Sequence, residues 1–223
     1  MQLPLQVPIM TLPNATLFPQ ALLPLFIFEP RYRKMLADAL QSSRMFSVAM
    51  QKPGRTRETP SPVAGLGLIR ASVSHRNGTS HLILQGIARV ELQETVCYKP
   101  YRVQKIRPLE TPPCNSVASD ALMAKVRDLL EERLRLGLPF PFPVMAPGQA
   151  KSKSDPTAFS PKEILSYLDS LTDPSQVADL VSCAVLPGGP ERQTILETTD
   201  VEDRLRHLIH FLVVEIRRKL KGP

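Results

Sequence analysis

Leu22-Leu23-Pro24-Leu25-Phe26-Ile27-Phe28-Glu29-Pro30-Arg31-Tyr32-Arg33-Lys34-Met35-Leu36 changes character halfway along. Residues 25–28 are an unbroken apolar run, the pattern of a buried strand. Glu29 and Pro30 stop it. Proline suits a first helical position, where its φ is already fixed and its missing N–H would have no partner anyway. Tyr32, Met35, Leu36, Ala39 and Leu40 then recur at helical spacing, with Arg31, Lys34 and Asp38 on another face. One segment therefore sets a strand into a sheet and lays a helix across it.

Working outward, residues 7–12 and 45–50 read as strands on either side of this segment. Between residues 12 and 24, Leu17 and Phe18 are expected to tuck under the sheet. Residues 51–62 hold Gly54, Arg55, Arg57 and three prolines, the composition of a mobile loop. Residues 63–76 alternate toward Asn77-Gly78, which predicts a two-residue type I′ hairpin turn. That register pairs Arg76 with Thr79, His75 with Ser80 and Ser74 with His81, so His75 and His81 are expected on opposite faces. On the return strand Leu82 and Leu84 share one face, His81 and Ile83 the other. Gly86 predicts a bulge or corner before the strand resumes over 87–92, and residues 101–109 give a last strand. Six short strands with one inserted helix suggest a small closed or nearly closed barrel.

After Pro112-Pro113 the period changes. Ser116 or Ser119 caps a helix reaching Leu136, carrying Leu122, Val126, Leu129, Leu130 and Leu134, and Gly137 closes it. Residues 139–160 are rich in Pro, Lys and Ser and read as a long loop. Ser160-Pro161, Asp173-Pro174, residues 191–197 and Asp200 start four further helices; the last ends in Arg217-Arg218-Lys219-Leu220-Lys221, where cations suit a helix C-terminus. Strands first and helices second predict an α+β protein: a β-barrel subdomain over 1–112 and an all-helical bundle subdomain over 113–223.

Of the 223 residues, 43% are apolar and 22% charged, ordinary for a globular chain. The 23 prolines punctuate the elements. Three scattered cysteines, Cys97, Cys114 and Cys183, form no C-x-x-C pair. They are expected to be small buried residues in a chain of the reducing cytoplasm. No apolar run approaches the roughly 18 residues that span a bilayer. The net charge of +7 is spread along the chain. No phosphate loop, dinucleotide fingerprint or G-x-S-x-G elbow occurs. His207 and His210 lie one turn apart, but two histidines leave a zinc site short of ligands. The residues thus indicate no catalytic, metal or cofactor site.

Leu23-Pro24-Leu25-Phe26, Phe28-Glu29-Pro30-Arg31-Tyr32-Arg33 and Met35, with Gly86-Ile87-Ala88-Arg89 at the end of the hairpin strand, resemble the Lon amino-terminal domain family. That family fronts Lon proteases and also occurs as stand-alone bacterial proteins, of which this chain looks like one. Pro100-Tyr101-Arg102-Val103, residues 168–179 and residues 195–205 resemble its later segments. The resemblance implies a pseudouridine-synthase-and-archaeosine-transglycosylase-like (PUA-like) barrel with an inserted helix, followed by a helical bundle. It also implies a non-catalytic module that binds protein segments, without the Lon ATPase and peptidase domains. The expected partners are unfolded or exposed protein segments, and a protease or other protein complex. Phe28, Arg31 and Lys34, with the 51–62 loop, are the expected contact region. The alternative is a nucleic-acid-binding PUA-like module; aromatics make up only 5% of the chain, with no tryptophan, which disfavours base-stacking platforms.

Overall fold

The structure is a computed structural model that describes residues 3–54, 58–114, 116–139 and 161–221. The chain forms two units, Met1–Glu110 and Thr111–Pro223, and is α+β.

The first unit holds β1 (Gln6–Leu12), β2 (Leu22–Ile27), α1 (Pro30–Leu40), β3 (Met45–Met50), β4 (Val63–Ser74), β5 (Ser80–Cys97) and β6 (Arg102–Pro108). β1 runs parallel to β3 and antiparallel to β6. β3 pairs antiparallel with β4, β4 with β5, and β5 again with β6. The pairings of β5, β4, β3, β1 and β6 thus return to their start as a five-strand ring. β2 stands outside the ring, antiparallel to residues 80–85 of β5. The later part of that same β5 edge, from Val90, pairs with β6.

The handover falls at Gly86. The 13–21 segment crosses there: Gln20 N donates to Gly86 O (2.8 Å) and Gly86 N to Ala21 O (2.9 Å). A Cβ on Gly86 would lie 1.9 Å from Phe18 O, so only glycine admits the crossing. The predicted irregularity is present as a register shift between Leu66 and Gly67 opposite Ala88 and Gly86. Leu17 and Phe18 are fully buried, as their apolar character predicts.

Two apolar clusters follow from strand alternation. Val7, Ile9, Met45, Ala49, Ala64, Leu66, Val90 and Ile106 come from all five ring strands and form one. Tyr32, Met35, Leu36 and Ala39 of α1 pack with Ile27, Phe46, Val48, Ile69, Leu82 and Leu84 in the other.

Two local readings are corrected. The 25–28 run is not buried throughout: Phe26 is 49% and Phe28 59% exposed. Side chains of β2 alternate between the two sheet faces: on the open face Pro24 and Phe26 are exposed, while Ile27 on the other is buried. The hairpin turn is also not type I′. His75 N donates to Thr79 O, and Gly78 N to His75 O, which leaves three residues in the loop. Gly78 carries φ +79° while Asn77 does not enter the left-handed region. Asn77 Oδ1 instead accepts from Thr79 N (3.0 Å) and Thr79 Oγ1 (2.7 Å). The register slips by one, pairing Ser74 with Ser80 and Val73 with His81.

The second unit holds α2 (Val117–Arg135), α3 (Pro161–Asp169), α4 (Pro174–Val185), α5 (Gly189–Glu197) and α6 (Val201–Lys221). Ser116 and Ser119 cap α2 reciprocally, and Gly137 follows it at φ +66°. Asp173 accepts from Ser175 N (2.9 Å) and Asp200 from Asp203 N (2.9 Å). The buried face of α2 is Met123, Val126, Leu129, Leu130 and Arg133, shifted from the predicted Leu122 and Leu134. The 139–160 loop and its Ser160 cap lie outside the described residues beyond 139. No helix among the described residues is long and apolar enough to cross a membrane.

Candidate functional site

The first unit carries two features that packing alone does not require. One is an outward strip across three strands. Phe26 sits opposite His81, and His81 opposite Val73. Pro24, Ile83 and Ala71 form the next row. The Phe26 ring lies 4.7 Å from His81 and 5.8 Å from Phe28. His75 meets His81 edge-on at 5.0 Å, with His75 Nε2 and His81 Nδ1 2.7 Å apart, one donating and the other accepting. The two histidines thus share a face, against the sequence expectation; the one-residue slip at Gly78 is the cause, since side chains alternate with period two. Val73 is 61% exposed.

The other feature is a cavity of about 210 Å³. Ile9 and Pro100 give it apolar wall; Arg31, Tyr32, Glu58, Tyr98, Tyr101 and Arg102 give it polar wall. The start of α1 supplies the first pair, the segment after β3 supplies Glu58, and the β5–β6 turn with the start of β6 supplies the rest. Tyr32 Oη donates to Glu58 Oε1 (2.9 Å), and Arg31 Nη1 binds the other oxygen, Glu58 Oε2. Arg31 Nε also binds Glu29 (2.9 Å), and its guanidinium lies 4.4 Å over the Tyr32 ring. Partial burial opposes the Arg31 charge, but Glu58, Tyr32 and Glu29 outweigh it and hold the group above its ordinary range. Burial, then the Glu58 bond, raises Tyr32 well above an ordinary phenol, so it remains a donor. Arg102 Nη2 donates to Glu58 O (3.0 Å), and its guanidinium lies 5.1 Å over the Tyr98 ring.

Of the residues singled out in the sequence, Phe28 stands in the outward strip and Arg31 in the cavity wall. Lys34 is exposed and binds Asp38 (2.7 Å); Asp38 also accepts from Tyr101 Oη (2.8 Å). The Lys34 and Tyr101 bonds hold the Asp38 carboxyl below its ordinary range. Burial and Asp38 push Tyr101 up to about 12. The 51–62 loop is zipped at its base by Lys52 N to Thr59 O (2.8 Å) and Ser61 N to Met50 O (2.7 Å); residues 55–57 lie outside the described residues. Cys97, expected to be buried, is exposed at the end of β5, while Cys114 and Cys183 are intermediate. Among the described residues no group of three or more His, Cys, Asp or Glu is placed to hold a metal.

Sequence reasoning missed Phe26, Val73, His75, His81, Glu58, Tyr98 and Arg102. The period-two spacing of Pro24, Phe26 and Phe28 is the one signal that pointed to the strip.

A ring of short strands, one helix laid across it and a separate helical unit define the class. The chain belongs to the family of the ATP-dependent protease La (Lon) substrate-binding domain, whose model matches residues 6–214. It is similar to the N-terminal domain of the Mycobacterium avium complex Lon protease, with a TM-score of 0.67 at 20% identity, covering 93% of this chain and 98% of that one. A Lon N-terminal domain protein from Xanthomonas campestris superposes with a TM-score of 0.63 at 17% identity, covering 92% and 98%. Among curated relatives, the Lon protease of Dictyoglomus thermophilum is 24% identical over 99% of this chain and 26% of its own length. That of Desulfosudis oleivorans is 24% identical over 92% of this chain and 23% of its own. The chain thus spans about a quarter of the length of these relatives.

Proposed function

We propose that the chain is a non-catalytic binding module for unfolded or exposed protein segments, working in the cytoplasm. Its membership of a substrate-binding family supports this. The observation that carries the reading is the outward strip of Phe28, Phe26, His81 and Val73. Aromatic rings held in a row on a rigid sheet offer large contact area at low entropic cost, because the strands already fix them. An extended segment bearing apolar side chains at alternate positions and laid along β2 matches the period-two spacing of Pro24, Phe26 and Phe28. Phe28 extends the strip from Phe26, and Arg31 and Lys34 of α1 are the charged residues proposed to contact the bound segment.

Fluorescence anisotropy with a labelled, permanently unfolded protein tests this. The wild-type chain binds, and the Phe26→Ser/Phe28→Ser double variant binds at least tenfold more weakly with its circular dichroism unchanged. Binding no stronger than to a charge-matched hydrophilic peptide, or equal binding by the double variant, defeats the reading. Binding that persists at high salt separates it from a phosphate-driven interaction with nucleic acid, which weakens steeply with salt.

A further inference from the structure

We propose that the cavity between α1 and the β5–β6 turn is a carboxylate site, with Arg102 as its receptor. It is separate from the outward strip and stands or falls without it. The two arginines in its wall are in opposite situations. Arg31 is held by two carboxylates, Glu29 and Glu58, and lies against a tyrosine face. Among the described residues Arg102 has no ion pair; its contacts are the Glu58 carbonyl and the Tyr98 ring. Both Glu58 carboxylate oxygens are turned to Tyr32 and Arg31, and only the Glu58 backbone carbonyl meets Arg102. A guanidinium has five N–H donors in a planar fork that fits a carboxylate with two parallel bonds. Arg102 directs one of its groups to a backbone oxygen and leaves fork capacity at the cavity.

Charge selects the ligand. A cation would meet two guanidiniums, on faces of tyrosine rings they already occupy. A dianion such as phosphate would place two charges beside Glu58, which is fixed in the same wall. One negative charge balances Arg102 and no more. Size agrees: about 210 Å³ is the space of roughly seven waters at ~30 Å³ each, enough for one acidic side chain or one chain terminus. Tyr98 is 68% exposed and stands at the rim, so the opening can be reached from solvent.

The test is an NMR titration of the full chain with three peptides: acetyl-Ala-Ala-Asp-Ala-amide, its Asn counterpart, and acetyl-Ala-Ala-Ala with a free terminus. Inorganic phosphate is titrated alongside. The Asp peptide, the free-terminus peptide or both shift the Tyr98, Tyr101 and Arg102 amides saturably, and which of them does so identifies the source of the carboxylate. The Asn peptide binds at least tenfold more weakly. Arg102→Lys keeps the charge but loses the fork, and weakens binding about tenfold; Tyr98→Ala, at the exposed rim, weakens it severalfold with the remaining spectrum unchanged. Equal saturable shifts from Asp and Asn, no saturable shift from either carboxylate peptide, tighter binding of phosphate, or indifference to both substitutions overturns the proposal.

Discussion

Three buried arginines of the helical unit and the two arginines of the β-unit cavity are used in opposite ways. In the helical unit Arg133, Arg192 and Arg204 are all but fully buried and tied to helix ends and carboxylates. Arg192 Nη1 donates to Leu186 O (2.6 Å) and Pro187 O (3.1 Å), just past the end of α4. Arg133 binds Glu215 (2.8 Å) and donates to Val185 O (3.3 Å) at the last residue of that helix. Arg204 pairs with Asp179 at 2.7 Å with both side chains out of solvent. In the β unit Arg31 and Arg102 are only half-buried, and Arg102 meets no carboxylate among the described residues. The contrast separates architecture from recognition. A buried charge whose donors meet fixed protein oxygens holds helices; one whose donors face a cavity is available to a ligand.

The comparison breaks most visibly at Arg204–Asp179. Removing one partner leaves the other charge buried without it, which costs about 3–5 kcal/mol. Asp179→Ala should lower the urea midpoint accordingly, and Arg204→Met/Asp179→Leu should recover most of the loss, because apolar replacements of similar volume are tolerated there. In the β unit the largest stability effect should come instead from backbone crowding. A Cβ on Gly65 would lie 1.9 Å from Leu17 O, and backbone cannot swing aside as a side chain can. Gly65→Ala should cost about 1–3 kcal/mol by the same urea measurement. At the hairpin tip the added atom would meet the movable end of Arg33, but Gly78 holds φ +79°. Gly78→Ala should therefore cost about 1–2 kcal/mol, the penalty of a side chain in the left-handed region.

The elements were legible because their signals are local. Pro30 and the 32, 35, 36, 39 spacing gave α1, and Ser116, Asp173 and Asp200 gave three helix starts. The candidate site was much less so, because it depends on which strands pair. Phe26 and Phe28 sit in an apolar run that reads as core, and both are exposed because tertiary packing leaves their side of the sheet open, which the run itself does not encode. His75 and His81 share a face because Asn77 bonds forward to Thr79 and leaves Gly78 alone at positive φ. A dipeptide signal does not decide between a two-residue and a three-residue loop, and one residue flips every side chain. Arg31, Glu58 and Arg102 are brought together by pairing between strands distant in sequence, with no local signature.

The smallest expected stability effect is the one that sharpens the contrast most. Phe28 is largely solvent-exposed and stacks only on Phe26 among the described aromatic rings. Phe28→Ser should therefore change unfolding free energy by less than about 0.5 kcal/mol, the range of surface substitutions, with the denaturant slope unaltered. The same variant should weaken capture of a labelled unfolded protein severalfold. A residue that holds the fold cannot give that pair of results, since its loss moves the urea midpoint first. If the midpoint falls while binding per folded molecule is unchanged, Phe28 belongs with the buried arginines as architecture, and the strip loses its claim to be a binding surface.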